Sequence, residues 1–416
     1  MGNLGRGWIS VIIPLSAIGS GFSVLIPIYI LSLNGNVFDI SIATTFYAFV
    51  GIPASLLWGE LINKTEKIKR FVLVTSIGTF AILLLLYVYK TVLSTEIIYG
   101  IFALVATAAS PAIDILLMGR KRNPSLPRFL SIFSLLSISG TLIGYLGGAF
   151  LDGDLIKMYI IFLAGLNAIA LLLTFIFVKD PYIKTKEMKA IKEVNKSFPL
   201  LNSISRLPSL LTGYRLIRAI SASFRSKRSR DISLLITSIS LFNLGMYLFN
   251  TSYVPYLSKY GVSFGSIFLI NAVNSVGQML IYGVFLVAIS GIDLFVLYRF
   301  STFFRSVSYV VAIVPIFVFT SDLLQINIVV YMLAGFAYAM WNVASSVILY
   351  NRIPRSSAGH TIGIWLAIMG TSAVAGSLLS GFISSSLGYS FTFMAAIAIN
   401  LASLAVFSIA ASELKT

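Results

Sequence analysis

Apolar runs of about twenty residues recur along the whole chain, separated by short clusters of polar and charged ones. The first, Trp8–Leu31, reads WISVIIPLSAIGSGFSVLIPIYIL and carries no charge. A hydrocarbon core about 30 Å thick takes about 20 helical residues to cross. Backbone polar groups inside it must bond within their own segment, so such runs read as spanning helices. The pattern predicts twelve of them, at about 8–31, 40–61, 71–89, 97–118, 126–150, 156–178, 232–256, 263–288, 296–319, 325–349, 358–385 and 390–411. Arg299 and Arg305 fall in the first turns of the ninth segment and move its expected start toward Ser306. The expected fold class is an all-α membrane protein of twelve transmembrane helices in two pseudo-symmetric six-helix bundles.

Composition agrees: 58% of residues are hydrophobic and 11% charged, against about 25% charged in a soluble domain. The chain has no cysteine, which excludes disulfides, thiol nucleophiles and thiolate metal sites. The opening MGNLGRGWIS leads into a helix too long for a signal-peptide core, so the first helix is expected to be retained. The net charge of +16 raises the question of nucleic acid. Placement of the charges answers it. With the N-terminus inside, 27 of the 30 Lys and Arg fall on the inner side; only Lys90, Lys157 and Lys259 fall outside. This is the positive-inside signal, and it predicts a multi-pass protein with both termini cytoplasmic. The basic balance is topology, and no nucleic-acid partner is expected.

The longest hydrophilic stretch, Lys179–Asp231, holds 13 basic and 4 acidic residues and parts the helices six and six. Three units follow: an N-terminal bundle over 1–178, a basic cytoplasmic linker over 179–231, and a C-terminal bundle over 232–416. Within the linker Leu207, Leu210, Leu211, Tyr214 and Ile217 recur at helical spacing, with Arg215, Arg218 and Arg225 among them. That suits an amphipathic helix on the anionic inner leaflet, with a solvated linker as the alternative. The bundles resemble each other in phase. Arg120 of ILLMGRKRNP matches Arg352 of VILYNRIPRS at an offset of 232, and Gly148 matches Gly381 at 233. IPIYILSLNG likewise matches VPYLSKYG. Six helices per unit place the repeats parallel about an axis along the membrane normal, as in secondary transporters.

Twelve spans, a six-plus-six split and a long basic middle loop together resemble the major facilitator superfamily. Between the second and third helices, GELINKTEKIKR (Gly59–Arg70) resembles the family's G-x-L-x-D-R-x-G-R-K/R loop. Gly59, Leu61, Lys64 and Lys67 match in kind, whereas Asn63 replaces the acid and Glu66 the second glycine. The loop after the eighth helix, GVFLVAISGIDLF, has lost the basic residues. Gly140, Gly144, Gly147 and Gly148 resemble the glycine signature of the family's antiporters, with Tyr145 where proline is usual. The resemblance implies a cytoplasmic gate. Asn63 would cap the eleventh helix, and Arg120 would pair with Glu60 or Asp114.

The glycines also make smooth stripes, Gly140–Gly148 on the fifth helix and Gly370, Gly376 and Gly381 on the eleventh, suited to close packing and to a face on which the halves rock. Intramembrane acids are scarce. Asp114 is the one expected within the membrane; it and Glu60 lie toward the cytoplasmic ends, where a structural ion pair is the favoured role and proton coupling the alternative. His360, beside Arg352 and Arg355, reads as a solvated or capping residue.

The polar lining is the most telling pattern. Asn243, Tyr247 and Asn250 on the seventh helix, and Asn271, Asn274 and Gln278 on the eighth, recur at helical spacing. Trp341 and Asn342 follow on the tenth and Trp365 on the eleventh. Amides in hydrocarbon need partners, either in interhelical bonds or in a water-filled cavity; so many on adjacent helices favour the cavity. The N-terminal half adds Ser16, Ser20, Ser23, Thr44, Tyr47, Ser137 and Tyr145. A lining of neutral amides, hydroxyls and rings suits a neutral or weakly charged organic solute. Phosphate or a dicarboxylate would call for a midplane Arg or Lys, and none is expected.

The function expected is secondary transport of a small organic solute by alternating access at the cell membrane. Two forms stay open: proton-coupled efflux of amphipathic compounds, and uptake or facilitated passage of a neutral polar solute such as a sugar. A non-transporting receptor or scaffold is the remote third. An enzyme is not expected from one His and no Cys. No cofactor is expected, since no Gly-rich Lys-Ser/Thr loop is present to hold ATP. The expected partners are the solute, the bilayer and, in the coupled form, protons, and the chain is expected to act as a monomer.

Overall fold

The computed structural model describes residues 6–65, 68–109, 126–150, 156–178, 227–288, 291–317, 323–352 and 358–415. Among the described residues the chain is helical, without strands. A 3-10 turn, Arg6–Val11, leads into α1 (Ile12–Ser32), α2 (Val37–Thr65), α3 (Ile68–Val88), α4 (Val92–Ala106), α5 (Leu126–Gly148) and α6 (Ile156–Phe177). Then come α7 (Lys227–Lys259), α8 (Phe264–Ala288), α9 (Leu294–Phe317), α10 (Leu323–Arg352), α11 (Ala358–Ser386) and α12 (Tyr389–Lys415). Nine of the described helices are long and apolar enough to cross a membrane. The amphipathic segment expected over Leu207–Arg225 lies outside the described residues.

Local chemistry sets the helix ends. Asn36 and Asp39 cap α2 reciprocally: the Asn36 side chain accepts from the Phe38 amide at 2.7 Å, and Asp39 accepts from the Asn36 amide at 2.7 Å. Thr91 and Ser94 form the same box at the start of α4. That box starts the helix at Val92, one and a half turns before the apolar run suggested. Gly261 (φ 82°) and Gly388 (φ 93°) close α7 and α11 in the left-handed conformation that glycine adopts without penalty.

Helices α1 to α6 pack among themselves, α1 on α5 and α6, α2 on α4, and α3 on α4 and α6. Helices α7 to α12 do likewise, α7 on α11 and α12, α8 on α10, and α9 on α10 and α12. Two seams join the sets, α2 against α11 and α5 against α8. Lipid offers no hydrophobic drive for these contacts, so small residues and hydroxyls make them. In the α7–α11 contact Ser252 meets Ser380 and Ser384, and the Ser380 hydroxyl donates to the Leu248 carbonyl at 2.6 Å. Ser41 of α2 joins this ladder by donating to the Ser377 carbonyl at 2.6 Å. Apolar side chains such as Leu84, Leu172, Val287 and Phe303 stay exposed, as a lipid-facing belt requires.

The end carrying the α1–α2, α5–α6, α7–α8 and α11–α12 connections is sealed. Residues 24–30 of α1 and 251–257 of α7 are buried on every side. Phe268 of α8 fills the space beside Gly148 and meets the Tyr159 ring at 4.9 Å. Ser41 fills the space beside Gly381.

Candidate functional site

Just below the seal, Ser23 on α1 and Asn250 on α7 are exposed. Both belong to the central helices, so their exposure opens toward the space between the halves. Around that space stand tyrosines from both halves. Tyr47 of α2 stacks on Tyr99 of α4 at 4.5 Å. Tyr99 lies within electrostatic reach of Tyr145 on α5 and Tyr247 on α7. Tyr247 in turn reaches Tyr47 and, on α10, Tyr338. The helices that carry these rings meet only through the fold, so the cluster is a product of tertiary structure.

Arg305 is the feature the apolar pattern hid. It lies in α9, eleven residues from Leu294 and twelve from Phe317, so about 17 Å from one helix end and about 18 Å from the other at about 1.5 Å per residue. Arg305 thus lies at mid-helix, well inside a helix whose start was expected near Ser306. The side chain is 3% exposed. Its Nε donates to the Tyr309 hydroxyl at 2.9 Å and one Nη to the Asn250 side-chain oxygen at 3.0 Å. The guanidinium carbon stands 5.0 Å from the Tyr309 ring centre and 5.8 Å from that of Phe249. These contacts lower the cost of burying the charge without neutralising it. An arginine three turns from a helix end reads as a snorkelling residue until partners on α7 are known.

The other amides mostly tie helices together. Asn243 donates to the Met369 carbonyl of α11 at 2.9 Å, Asn274 to the Tyr331 carbonyl of α10 at 3.1 Å, and Asn342 to the Tyr282 hydroxyl of α8 at 2.9 Å. Gln278 donates to Asn274 at 2.6 Å, and Asn271 bonds the Ile267 carbonyl of its own helix. Trp341 is buried and stacks on Phe242 at 4.8 Å, and Trp365 is half-buried against the same apolar cluster. Of the nine residues expected to line a cavity, Asn250 is exposed and Tyr247 half-buried in the tyrosine cluster; Asn243, Asn274 and Asn342 bond neighbouring helices, and Asn271 and Gln278 bond within α8. Replacing Asn243 or Asn342 by Leu is accordingly expected to lower the melting temperature in detergent, at a cost of about 0.6–1.7 kcal/mol. Unchanged melting would count against these bonds.

A separate cavity of about 370 Å³ lies within the N-terminal half, among Ser16 and Gly19 of α1, Thr75 and Thr79 of α3, Phe102 of α4 and Ser137 of α5. None of the nine lines it. The backbone of Gly59, Glu60, Asn63 and Lys64 continues α2 as far as Thr65, so the expected loop is largely helix. Their side chains, together with Asp114 and Arg120, lie outside the described residues. Of the glycines, Gly144 faces the Ala17 carbonyl and Ser20 of α1, within one half, whereas Gly148 faces Phe268 of α8, across the seam. Among the described residues the one buried carboxylate is Glu96, 9% exposed near Asp39. It lies inside α4, which begins at Val92 and not near residue 97. The Thr91–Ser94 box was the signal that would have placed it.

The sequence profile of the Major Facilitator Superfamily matches residues 9–317. The chain belongs to this superfamily. It is therefore a membrane transporter and not an enzyme. No curated protein sequence matches it. Solved structures share the fold over nearly the full chain. A peptide transporter POT in complex with sulfate is 12% identical with TM-score 0.71, covering 98% of this chain and 94% of that one. A POT family transporter in complex with 5-aminolevulinic acid is 13% identical with TM-score 0.71, covering 97% and 96%. The nucleoside transporter NupG is 14% identical with TM-score 0.68, covering 97% and 99%.

Proposed function

We propose that the chain carries a small organic solute by alternating access, binding it between the bundles 1–178 and 232–416 among Tyr47, Tyr99, Tyr145, Tyr247, Tyr338 and Asn250. The observation that carries this reading is the change along α1 and α7. Both are buried all round toward one end, with Ser23 and Asn250 exposed immediately below. A space closed at one end and lined from both halves is what rocking of two bundles would expose to each side in turn. The lysine and arginine placement makes the sealed end external and both termini cytoplasmic, so this conformation faces inward. At the opposite end Asn63, Arg120 and Glu60 or Asp114 would form the gate. The chain would act as a monomer in the cell membrane.

Rings outnumber amides around Asn250, which favours an amphipathic solute, exported or taken up, over a sugar. If protons drive the cycle, buried Glu96 joins Asp114 and Glu60 as a coupling candidate.

Labelling tests the reading directly, because the chain has no native cysteine. Asn250→Cys in sealed vesicles is expected to react with an impermeant thiol reagent at least about tenfold faster from the terminus side than from the sealed side. Equal rates from both sides, or none from either, would sink the reading. Solute counterflow in proteoliposomes then identifies what moves.

A further inference from the structure

We infer that Arg305 is an anion site, and that the solute carries a carboxylate on an aromatic or amphipathic body. The inference deepens the transport reading and rests on it for the word solute; the anion site itself does not. A charged side chain within a membrane bundle is costly and marks a function by default. Arg305 is buried at mid-helix, and its two bonded acceptors, Tyr309 and Asn250, are both neutral. The groups facing it from α7 and α10 are Phe249, Tyr253, Tyr331 and Tyr338. No carboxylate among the described residues pairs with it. A guanidinium offers five N–H donors, and those beyond the two bonded ones meet no acceptor among the described residues.

Asn250 links this charge to the central space. It is exposed, yet its side-chain oxygen accepts from Arg305 at 3.0 Å. That oxygen marks where an anionic oxygen would sit. A carboxylate arriving from the central space displaces the amide and takes two parallel N–H bonds from the planar fork. Its apolar or aromatic body then rests among Tyr247, Tyr338 and the rings of the other half. The neutral-solute expectation from the amide stripe gives way here, because the cation is present and most of those amides are occupied.

Six pairs of aromatic acids and their amides provide the test, 4-hydroxyphenylacetate with 4-hydroxyphenylacetamide among them. Binding is read by thermal shift and calorimetry on the full chain in detergent, at constant chloride and ionic strength. The wild type is expected to bind the acid of at least one pair about tenfold or more tightly than the amide. Arg305→Gln should erase that preference while leaving the weak binding of the amide. If Arg305 only braces α7 against α9, Arg305→Gln lowers the melting temperature and leaves the preference intact, which overturns the inference. So does a wild type with no acid preference in any pair. Should Arg305→Gln fail to fold, Asn250→Asp replaces it. An internal carboxylate beside Arg305 is expected to raise the melting temperature and abolish the acid preference, and a preference that survives it is again decisive against the site. Proteoliposomes separate the two readings. Accumulation of neutral compounds without acid preference removes the anion site and keeps transport. Acid-selective binding with no solute exchange for any compound removes transport and keeps the anion site.

Discussion

Oxidising a Gly148→Cys/Phe268→Cys double variant is expected to stop solute exchange, and a thiol reductant to restore it. A Cβ placed on Gly148 would stand 2.5 Å from Cγ of Phe268. The two Cβ atoms therefore lie within about 4 Å, the separation a disulfide spans, and removing the ring makes room for the sulfurs. Gly148 ends α5 and Phe268 lies in the second turn of α8, so the bond ties the two halves at the sealed end. A transporter that must open there to complete its cycle is held in one state. The native chain contributes no thiol to confuse the result, and each single variant should exchange normally under oxidation. Hydrogen exchange at the α7–α8 turn gives a readout independent of the solute, since the bond should suppress it. If the oxidised double variant exchanges solute at the reduced rate, the α5–α8 seam does not open and the rocking reading falls.

The fold was legible because lipid imposes a length. A run such as Trp8–Leu31 reads as a spanning helix, and nine of the described helices are long and apolar enough to be read the same way. Ends were legible where the capping residues were conspicuous, as at Asn36 and Asp39, and missed at Thr91, where a short polar box precedes the apolar run. The site was harder for a geometrical reason. Helical spacing shows that residues share a face, not what the face meets. Asn243 and Asn250 lie seven residues apart on α7, yet one bonds Met369 on α11 and the other borders open space. Arg305 shows the same limit more sharply. Its burial is tolerable because Phe249 and Asn250 approach from 55 residues or so earlier in the chain, and no local pattern around residue 305 announces them.

The glycines of α5 lead to the other large effect. At 3.6 residues per turn, a step of four residues drifts about 40° around the helix. Gly140, Gly144 and Gly148 are thus a slanting row that looks straight in sequence and turns about 80° along its length. Its first two members face α1, where a Cβ would run into the Ile13 and Ala17 carbonyls, and its last faces the Phe268 ring. Backbone in a packed helix pair cannot yield, whereas a side chain on the opposite half can be pushed away. Gly144→Leu is therefore expected to abolish the folded peak in size-exclusion chromatography. Overpacking alone costs about 1–3 kcal/mol, and the displaced helix also loses the Tyr159 hydroxyl's bond to the Gly144 carbonyl at 2.7 Å. Gly148→Leu should fold at near wild-type yield but spring the sealed end, and a reporter Asn250→Cys would then label faster from that side. Equal yields of the two variants would show that the α1–α5 contact is as adaptable as the seam. Unchanged labelling in Gly148→Leu would show that Phe268 does not hold the seal.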